Sequence, residues 1–378
     1  MDVRERVIKA LAHKDGELPD RVPTFVEGMM GHFKRKCDEK YGKKLDDKII
    51  DKAIGTIGFN WIWSFFFQFD SQWLHSSPVK MKPLSIDINA IDLGEKNLRL
   101  SRFGGISQKT TDRYTGEAWG YIDGYLNSKE KWEEWIDAGY FDYEVSNEWI
   151  RHWEKTYPKV LEEGLMLIPV DTIFEKVREA FSFSRFAYFL RKDRPFMEKL
   201  TDKIFEIGME FVKGVCDAGF EVITLADDTA YKNRVMYSPK IFEEMVAPHY
   251  RELNDYLHKR GLLSFYHSDG YTEPYFNGLI NIADFDGIQS LEPAAGMDLG
   301  HLKEKWGDEV TLIGNLDCSR LLPFGSAQDV VKATKKCLND GMEGGGYICG
   351  PTTDIIDSIK PENIKAMVET VHKYGKYD

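Results

Sequence analysis

The feature that most constrains this chain is its alternation of short apolar runs with amphipathic stretches. The runs with strand character are Val22–Glu27, Gly58–Phe65, Leu165–Val170, Glu221–Asp227, Leu262–His267, Asp286–Glu292, Val310–Asn315 and Gly346–Gly350. Helical patterns separate the last five. Pro239–Arg260 places Ile241, Met245, Tyr250, Leu253 and Leu257 on one face, with Ser238-Pro239 as a start signal. Ala327–Leu338 and Pro361–Tyr374 are similarly two-faced. Strand–helix alternation means a parallel sheet. This many strands predicts an α/β fold of the (β/α)8 TIM-type barrel class. No G-x-G-x-x-G opens a helix after a strand, which argues against a dinucleotide fold.

Between the second and third runs, residues 68–163 form a long insertion, expected as a cap on a single barrel spanning 1–378. Within it, Leu98–Phe103 reads as one arm of a ribbon turning at Gly104-Gly105 and returning through Arg113-Tyr114. Ser128–Ala138 and Glu144–Leu161 read as helical.

The chain carries a net charge of −12 and its basic residues do not cluster, which argues against nucleic acid as a partner. No apolar stretch is long enough to cross a membrane and the N-terminus lacks a signal-peptide core, so a cytoplasmic enzyme is expected. The 5 cysteines lack the spacing of a disulfide framework. Barrels of this kind often pair, and a homodimer fits the chain, although no surface stripe marks one.

In such a barrel the strand C-terminal ends face one mouth, and here nearly all of them end on a polar group. Glu27, Asp171, Asp227-Asp228, His267 with Asp269, Glu292, Asn315 with Asp317, and Cys349 followed by Thr352, Thr353 and Asp354 all fall there. His267, Asp269 and Glu292 are the metal-ligand candidates, because a catalytic zinc takes three protein ligands and keeps one open position. Cys349 or Cys318 is the candidate fourth ligand, and Asp269 alternatively caps the following segment. Of Asp227-Asp228, only one needs to enter the pocket, as a general base or a hydroxyl ligand, and Asp228 is taken as that residue. Glu27, a carboxyl inside an apolar run, is a candidate proton donor with a raised pKa, or else pairs with Arg21 or Lys232. Trp63, Phe65 and Phe66, with Phe183 from a second aromatic cluster, suit a flat apolar ligand, with Asp171 beside it.

Several motifs together carry a family resemblance. They are Leu225-Ala226-Asp227-Asp228, Tyr237-Ser238-Pro239, His267-Ser268-Asp269-Gly270, Gln289-Ser290-Leu291-Glu292-Pro293, Gly296-Met297-Asp298-Leu299, Ile313-Gly314-Asn315 and Pro361-Glu362-Asn363-Ile364. With them the chain resembles the uroporphyrinogen decarboxylase superfamily, closely in its C-terminal part and more loosely before it. The resemblance implies a distorted (β/α)8 barrel and one of two chemistries. Decarboxylases of the superfamily hold the tetrapyrrole carboxylates with an arginine-rich N-terminal segment. Here that strand has one arginine, Arg21, and ends in Glu27, which would repel a polyanion. The other branch contains zinc-dependent methyltransferases that work with corrinoid proteins and carry His-x-Cys, a later glutamate and a late cysteine. This chain keeps His267 and Glu292, has Asp269 in place of the first cysteine, and has Cys349 four residues before the expected late one, near Thr353.

A ligand set of nitrogen and oxygen suits an oxygen leaving group better than a thiol acceptor. The resemblance therefore implies an O-demethylase methyltransferase. It would take a methyl group from an aryl methyl ether and pass it to cob(I)amide, a cobalamin-type corrinoid on a partner protein. Zn²⁺ on His267, Glu292, Asp269 and Cys349, or an acid such as Glu27 or Asp228, would activate the ether oxygen. The competing expectations are a coenzyme M type thiol methyltransferase using methylcobamide, a uroporphyrinogen decarboxylase, and a non-catalytic ligand-binding barrel.

Overall fold

The structure is a computed structural model that describes residues 1–44, 66–82, 91–94, 97–112, 116–161, 164–171 and 173–377. Its centre is a sheet of 8 strands. They are β1 (Phe25–Val26), β2 (Ser71–Trp73), β3 (Leu165–Asp171), β4 (Val222–Ala226), β5 (Leu263–His267), β6 (Gly287–Gln289), β7 (Thr311–Leu316) and β8 (Tyr347–Pro351). Every neighbouring pair runs parallel, in chain order. A parallel bridge from Thr24 to Cys349 joins the first strand to the last, with the Cys349 amide donating to Pro23 O at 2.9 Å. The sheet thus closes into the expected (β/α)8 barrel.

The strands are buried on both faces, which explains their continuous apolar runs. Phe25 and Phe265, from opposite strands, meet edge to face with centroids 5.7 Å apart and fill the barrel interior. At its N-terminal end the helix Val3–Leu11 acts as a plug: the Thr311 hydroxyl donates to Ala10 O at 2.8 Å. A Cβ on Gly287 would lie 3.0 Å from the Phe265 side chain and 3.1 Å from Leu11, so any larger residue here would have to push the plug and Phe265 back by a few tenths of an ångström. The helices start where side chains can cap them. Ser326 and Asp329 form a reciprocal capping box on Ala327–Gly341. Asp298 caps Leu299–Trp306.

Two expectations change. The second strand was placed at Gly58–Phe65, but the barrel position between β1 and β3 is held by Ser71–Trp73. Residues 58–65 lie outside the described residues, and Trp63 and Phe65 with them. An aromatic run imitates a strand, whereas the short polar Ser71-Gln72-Trp73 has almost no pattern to read. The insertion therefore starts after Trp73.

The ribbon in the insertion is a three-stranded meander, Leu98–Leu100, Gly105–Asp112 and Gly116–Gly124. Its first turn is at Gly104-Gly105 as read, while 113–115 lie outside the described residues. Helices Lys129–Asp137 and Asn147–Leu161 follow. The meander lies on the helix Ile173–Lys192. Gly124 passes so close that a Cβ there would fall 2.2 Å from Ser182 N, and Ser182 breaks that helix with φ +66°. Among the described residues, no helix is long and apolar enough to cross a membrane.

Candidate active site

The barrel mouth gathers the side chains that end β1, β4, β5 and β6. Strand β5 ends on His267, which is buried between the ends of β4 and β6. Gln289, fully buried at the end of β6, links His267 to Glu27 at the end of β1. Its amide nitrogen donates to Glu27 Oε1 at 2.7 Å, so its oxygen is the acceptor for a short hydrogen bond from His267 Nδ1. Glu27 Oε1 is also 3.5 Å from His267 Nδ1, and the Thr353 hydroxyl donates to Glu27 Oε2 at 3.5 Å. On the other side of the ring, His267 Nε2 is 3.9 Å from Asp228 Oδ1.

Burial and like charges set the proton affinities here. Burial pushes the Glu27 carboxyl up to about 8; the imidazolium of His267 opposes this, and the charges of Asp269 and Asp354 add to it. Burial disfavours the His267 imidazolium, yet Glu27, Asp269 and Asp228 outweigh that effect and lift its pKa to about 9. Asp269, Glu292 and Asp354 are also raised, chiefly by burial. The mouth is an acid-rich pocket whose buried pair, Glu27 and His267, retains protons above neutral pH.

The predicted residues divide clearly by position. Asp228 faces the mouth, where its Oδ1 accepts from the Asp269 amide at 2.9 Å. Asp227 turns the other way, accepting from the Tyr250 hydroxyl and, at 2.6 Å, from the Glu175 amide at the start of the helix Ile173–Lys192. Asp269 Oδ1 accepts from the Ser290 hydroxyl at 2.6 Å, and Glu292 Oε2 accepts from the Gly270 amide at 2.9 Å. Arg21 is bound to Asp70 at 2.7 and 2.8 Å, below the barrel, and does not reach Glu27.

Cys349 is not in the mouth. It shares a strand face with Tyr347, which packs on Gly341 of the helix Ala327–Gly341. Cys337 of the same helix lies close to it, and burial raises its thiol pKa far above the usual range. Cys318 is buried too, donating weakly to Thr353 O at 3.7 Å, and burial pushes its thiol up to about 12.

Phe66 precedes β2 in a helical turn and packs on Tyr41 at 5.2 Å, so it supports the outer helix Gly31–Tyr41 and not the mouth. Phe183 is half exposed, 6.0 Å from the Tyr231 ring. Asp171 ends β3, and its side chain lies outside the description.

A zinc ion would need three of these groups on one point. Among the described residues no three His, Cys, Asp or Glu side chains are so placed. Glu292 Oε2 and Asp269 Oδ1 are each engaged in a hydrogen bond, and Cys349 faces a helix. The residues present do not fit the expected zinc set, and no step is routed through it.

Some contributors were not picked out from the sequence. Gln289 stood inside a recognised motif, and its polarity at an inward strand position was the available signal. Asp354 was read as a strand-end residue without a role; a Cβ on Gly28 would fall 2.7 Å from its Oδ1, so Gly28 makes room for it. His75, whose charge acts on Asp354, was hidden by the misplaced second strand.

A closed parallel barrel with a buried acid–imidazole pair at the C-terminal ends of its strands defines an α/β barrel of enzymatic type. The chain belongs to the uroporphyrinogen decarboxylase (URO-D) family, whose model matches residues 172–374. It is 24% identical over 175 residues to the methylcobamide:CoM methyltransferase MtbA of Methanosarcina acetivorans, covering 46% of this chain and 48% of that protein. It is 36% identical over 86 residues to the uroporphyrinogen decarboxylase of Thioalkalivibrio sulfidiphilus, covering 22% and 24%. The matched region thus spans no more than about half the length of these relatives. Over whole chains the fold is similar to a methyltransferase from Methanosarcina mazei, with a TM-score of 0.64, 16% identity and 99% of each chain covered. A B12-independent methionine synthase from Shewanella has a TM-score of 0.52 at 10% identity, covering 93% of this chain and 98% of that one.

Proposed function

We propose that this protein is a corrinoid-dependent methyltransferase. It removes the methyl group of an aryl methyl ether and passes it to cob(I)amide carried on a separate protein that docks at the barrel mouth. The observation that carries the reading is the proton-holding array Glu27–Gln289–His267 with Asp228 beside it. Phenolate is a poor leaving group unless its oxygen is protonated as the carbon–oxygen bond breaks. The corrinoid supplies the nucleophile that takes the methyl group. The bonding pair stays on oxygen, and the proton from the Glu27–His267 pair converts it to the neutral phenol. The low-dielectric, buried position of the pair keeps that proton available at neutral pH. Gln289 orients the imidazole so that Nε2 points to Asp228 and the mouth. Among the described residues, Phe183 is the predicted aromatic wall residue that lies beside the hairpin at the mouth's rim.

The likeness to MtbA equally supports a second reading, in which methylcobamide gives its methyl group to a thiol. Against it, Cys349 faces a helix and Cys318 carries a strongly raised thiol pKa, so neither offers a thiolate to assist such a step. Porphyrinogen decarboxylation is disfavoured because Arg21 is committed to Asp70 and the mouth is acidic. An assay for release of the phenol from an aryl methyl ether in the presence of cob(I)alamin separates these readings.

A further inference from the structure

A cavity of about 730 Å³ opens at the rim of the mouth, lined by Tyr231, Lys232, Arg234, Tyr271, Ala294 and Ala295 among others. Its walls extend the loops that carry the acids of the site: Tyr271 follows Asp269-Gly270, and Ala294 follows Glu292-Pro293. Among the described residues, the only charged ones lining it are Lys232 and Arg234. In a chain of net charge −12, and beside a mouth built from Asp228, Asp269, Glu292 and Asp354, this is a local inversion of sign. Among the described residues neither cation has a carboxylate partner. Arg234 lies instead over the Tyr231 ring, 5.7 Å from its centroid.

The two cations stand on a fixed support. They belong to a hairpin whose strands pair Ala230 with Val235 and Tyr231 with Arg234. Its base is held by the Ser268 hydroxyl, which accepts from the Thr229 amide at 3.0 Å. Its tip is held by the Tyr271 amide, which donates to Tyr231 O at 2.9 Å. Gly270, at φ +91°, permits this approach, since a Cβ there would fall 2.7 Å from Tyr231 O. The hairpin is thereby clamped to the loop that carries Asp269.

We propose that this cavity is a binding site for the anionic end, carboxylate or sulfonate, of the small molecule whose reactive end lies at His267. An unpaired guanidinium and ammonium on a rigid hairpin lose little order when they take up an anion, and Tyr231 and Tyr271 flank its apolar stem. The acids of the inner mouth repel the same anion, so the ligand enters in one orientation only. The inference rests on the methyl-transfer reading for the identity of the reactive end, but the anion site itself is measured without turnover.

The test is isothermal titration of the full chain with 4-methoxybenzoate, ethanesulfonate and the neutral 4-methoxybenzamide. It is run on the wild type, on the Lys232→Ala/Arg234→Ala double variant, and on Arg234→Lys as a charge-conserving control. Both positions are exposed on the hairpin, so the fold is not at stake. The proposal expects at least one anion to bind more tightly than the amide. It expects the double variant to lose about tenfold or more of that affinity with amide binding unchanged, and Arg234→Lys to retain most of it. Preference for the carboxylate assigns the anion to a methyl donor, and preference for the sulfonate assigns it to a thiol acceptor; either supports the site. Equal binding of acid and amide, an unaffected double variant, or no binding of either anion would overturn it. Failure of methyl transfer alone would leave these affinities as they are and would count against the reaction, not the site.

Discussion

Glu27 and His267 are nearly sealed from water, and both hold protons beyond their ordinary range, which makes pH the most direct probe at the residue scale. The acid form that activates the ether oxygen is complete at neutral pH and is lost as pH rises through about 8 to 9. A pH–rate profile should therefore fall on its alkaline side, with apparent pKa values that belong to the pair. Glu27→Gln keeps the shape of the side chain and removes its transferable proton. It should lower kcat by about 10²- to 10⁴-fold with little change in KM. Stability falls in the same direction. The folded-state value of Glu27, about 8, lies above the ordinary 4.5, so its contribution is full below 4.5 and is lost as pH rises through 8. Glu27→Gln escapes that loss, so thermal melts should show the variant gaining on the wild type as pH rises from about 5 to about 8 and gaining no further above that. A variant that melts in parallel with the wild type across that range would remove the basis for the raised carboxyl.

At the scale of elements, β5, β6, β7 and β8 were legible because each is an apolar run followed by a patterned helix. Strand β2 was not, because three residues held by neighbours on both sides need no pattern of their own. The same slip placed Phe66 at the mouth and hid His75. Cys349 was misread for a different reason: position near a strand end does not say which way a side chain points, and only its shared face with Tyr347 decides that. Cys349→Ser should therefore leave turnover within about twofold of wild type. Its cost should appear as about 1–3 kcal/mol of stability in chemical denaturation, from a hydroxyl placed in an apolar layer. A loss of turnover larger than the loss of folded protein would put the thiol back in the reaction.

Below the barrel, Asp70 ties β2 to its neighbours. Its carboxylate accepts from Arg6 at 2.8 Å, from Arg21 at 2.7 and 2.8 Å, and from the Thr24 amide at 2.8 Å. Asp70→Ala leaves the half-buried Arg21 without its carboxylate and Arg6 with Asp20 alone, and should cost about 3 kcal/mol in the same denaturation measurement. A cost below about 1 kcal/mol would show that the network does not fasten the strand.

For the whole molecule, the reading joins a family, a barrel and an acid mouth. The motifs from Asp227 to Asn363 were enough to point to the family, because they lie where β4 to β8 deliver side chains or where the next helix begins. The ligand set was not readable, since a spacing conserves which residues end the strands but not how far apart their side chains stand. The measurement that tests the central claim most directly is a single incubation of the purified chain with cob(I)alamin and 4-methoxybenzoate. Phenol and methylcobalamin are followed together, beside Glu27→Gln. The account predicts the two products in equal amounts, with the variant slower by about 10²-fold or more. No phenol and no methylcobalamin, or the same yield from Glu27→Gln at an unchanged rate, would contradict it.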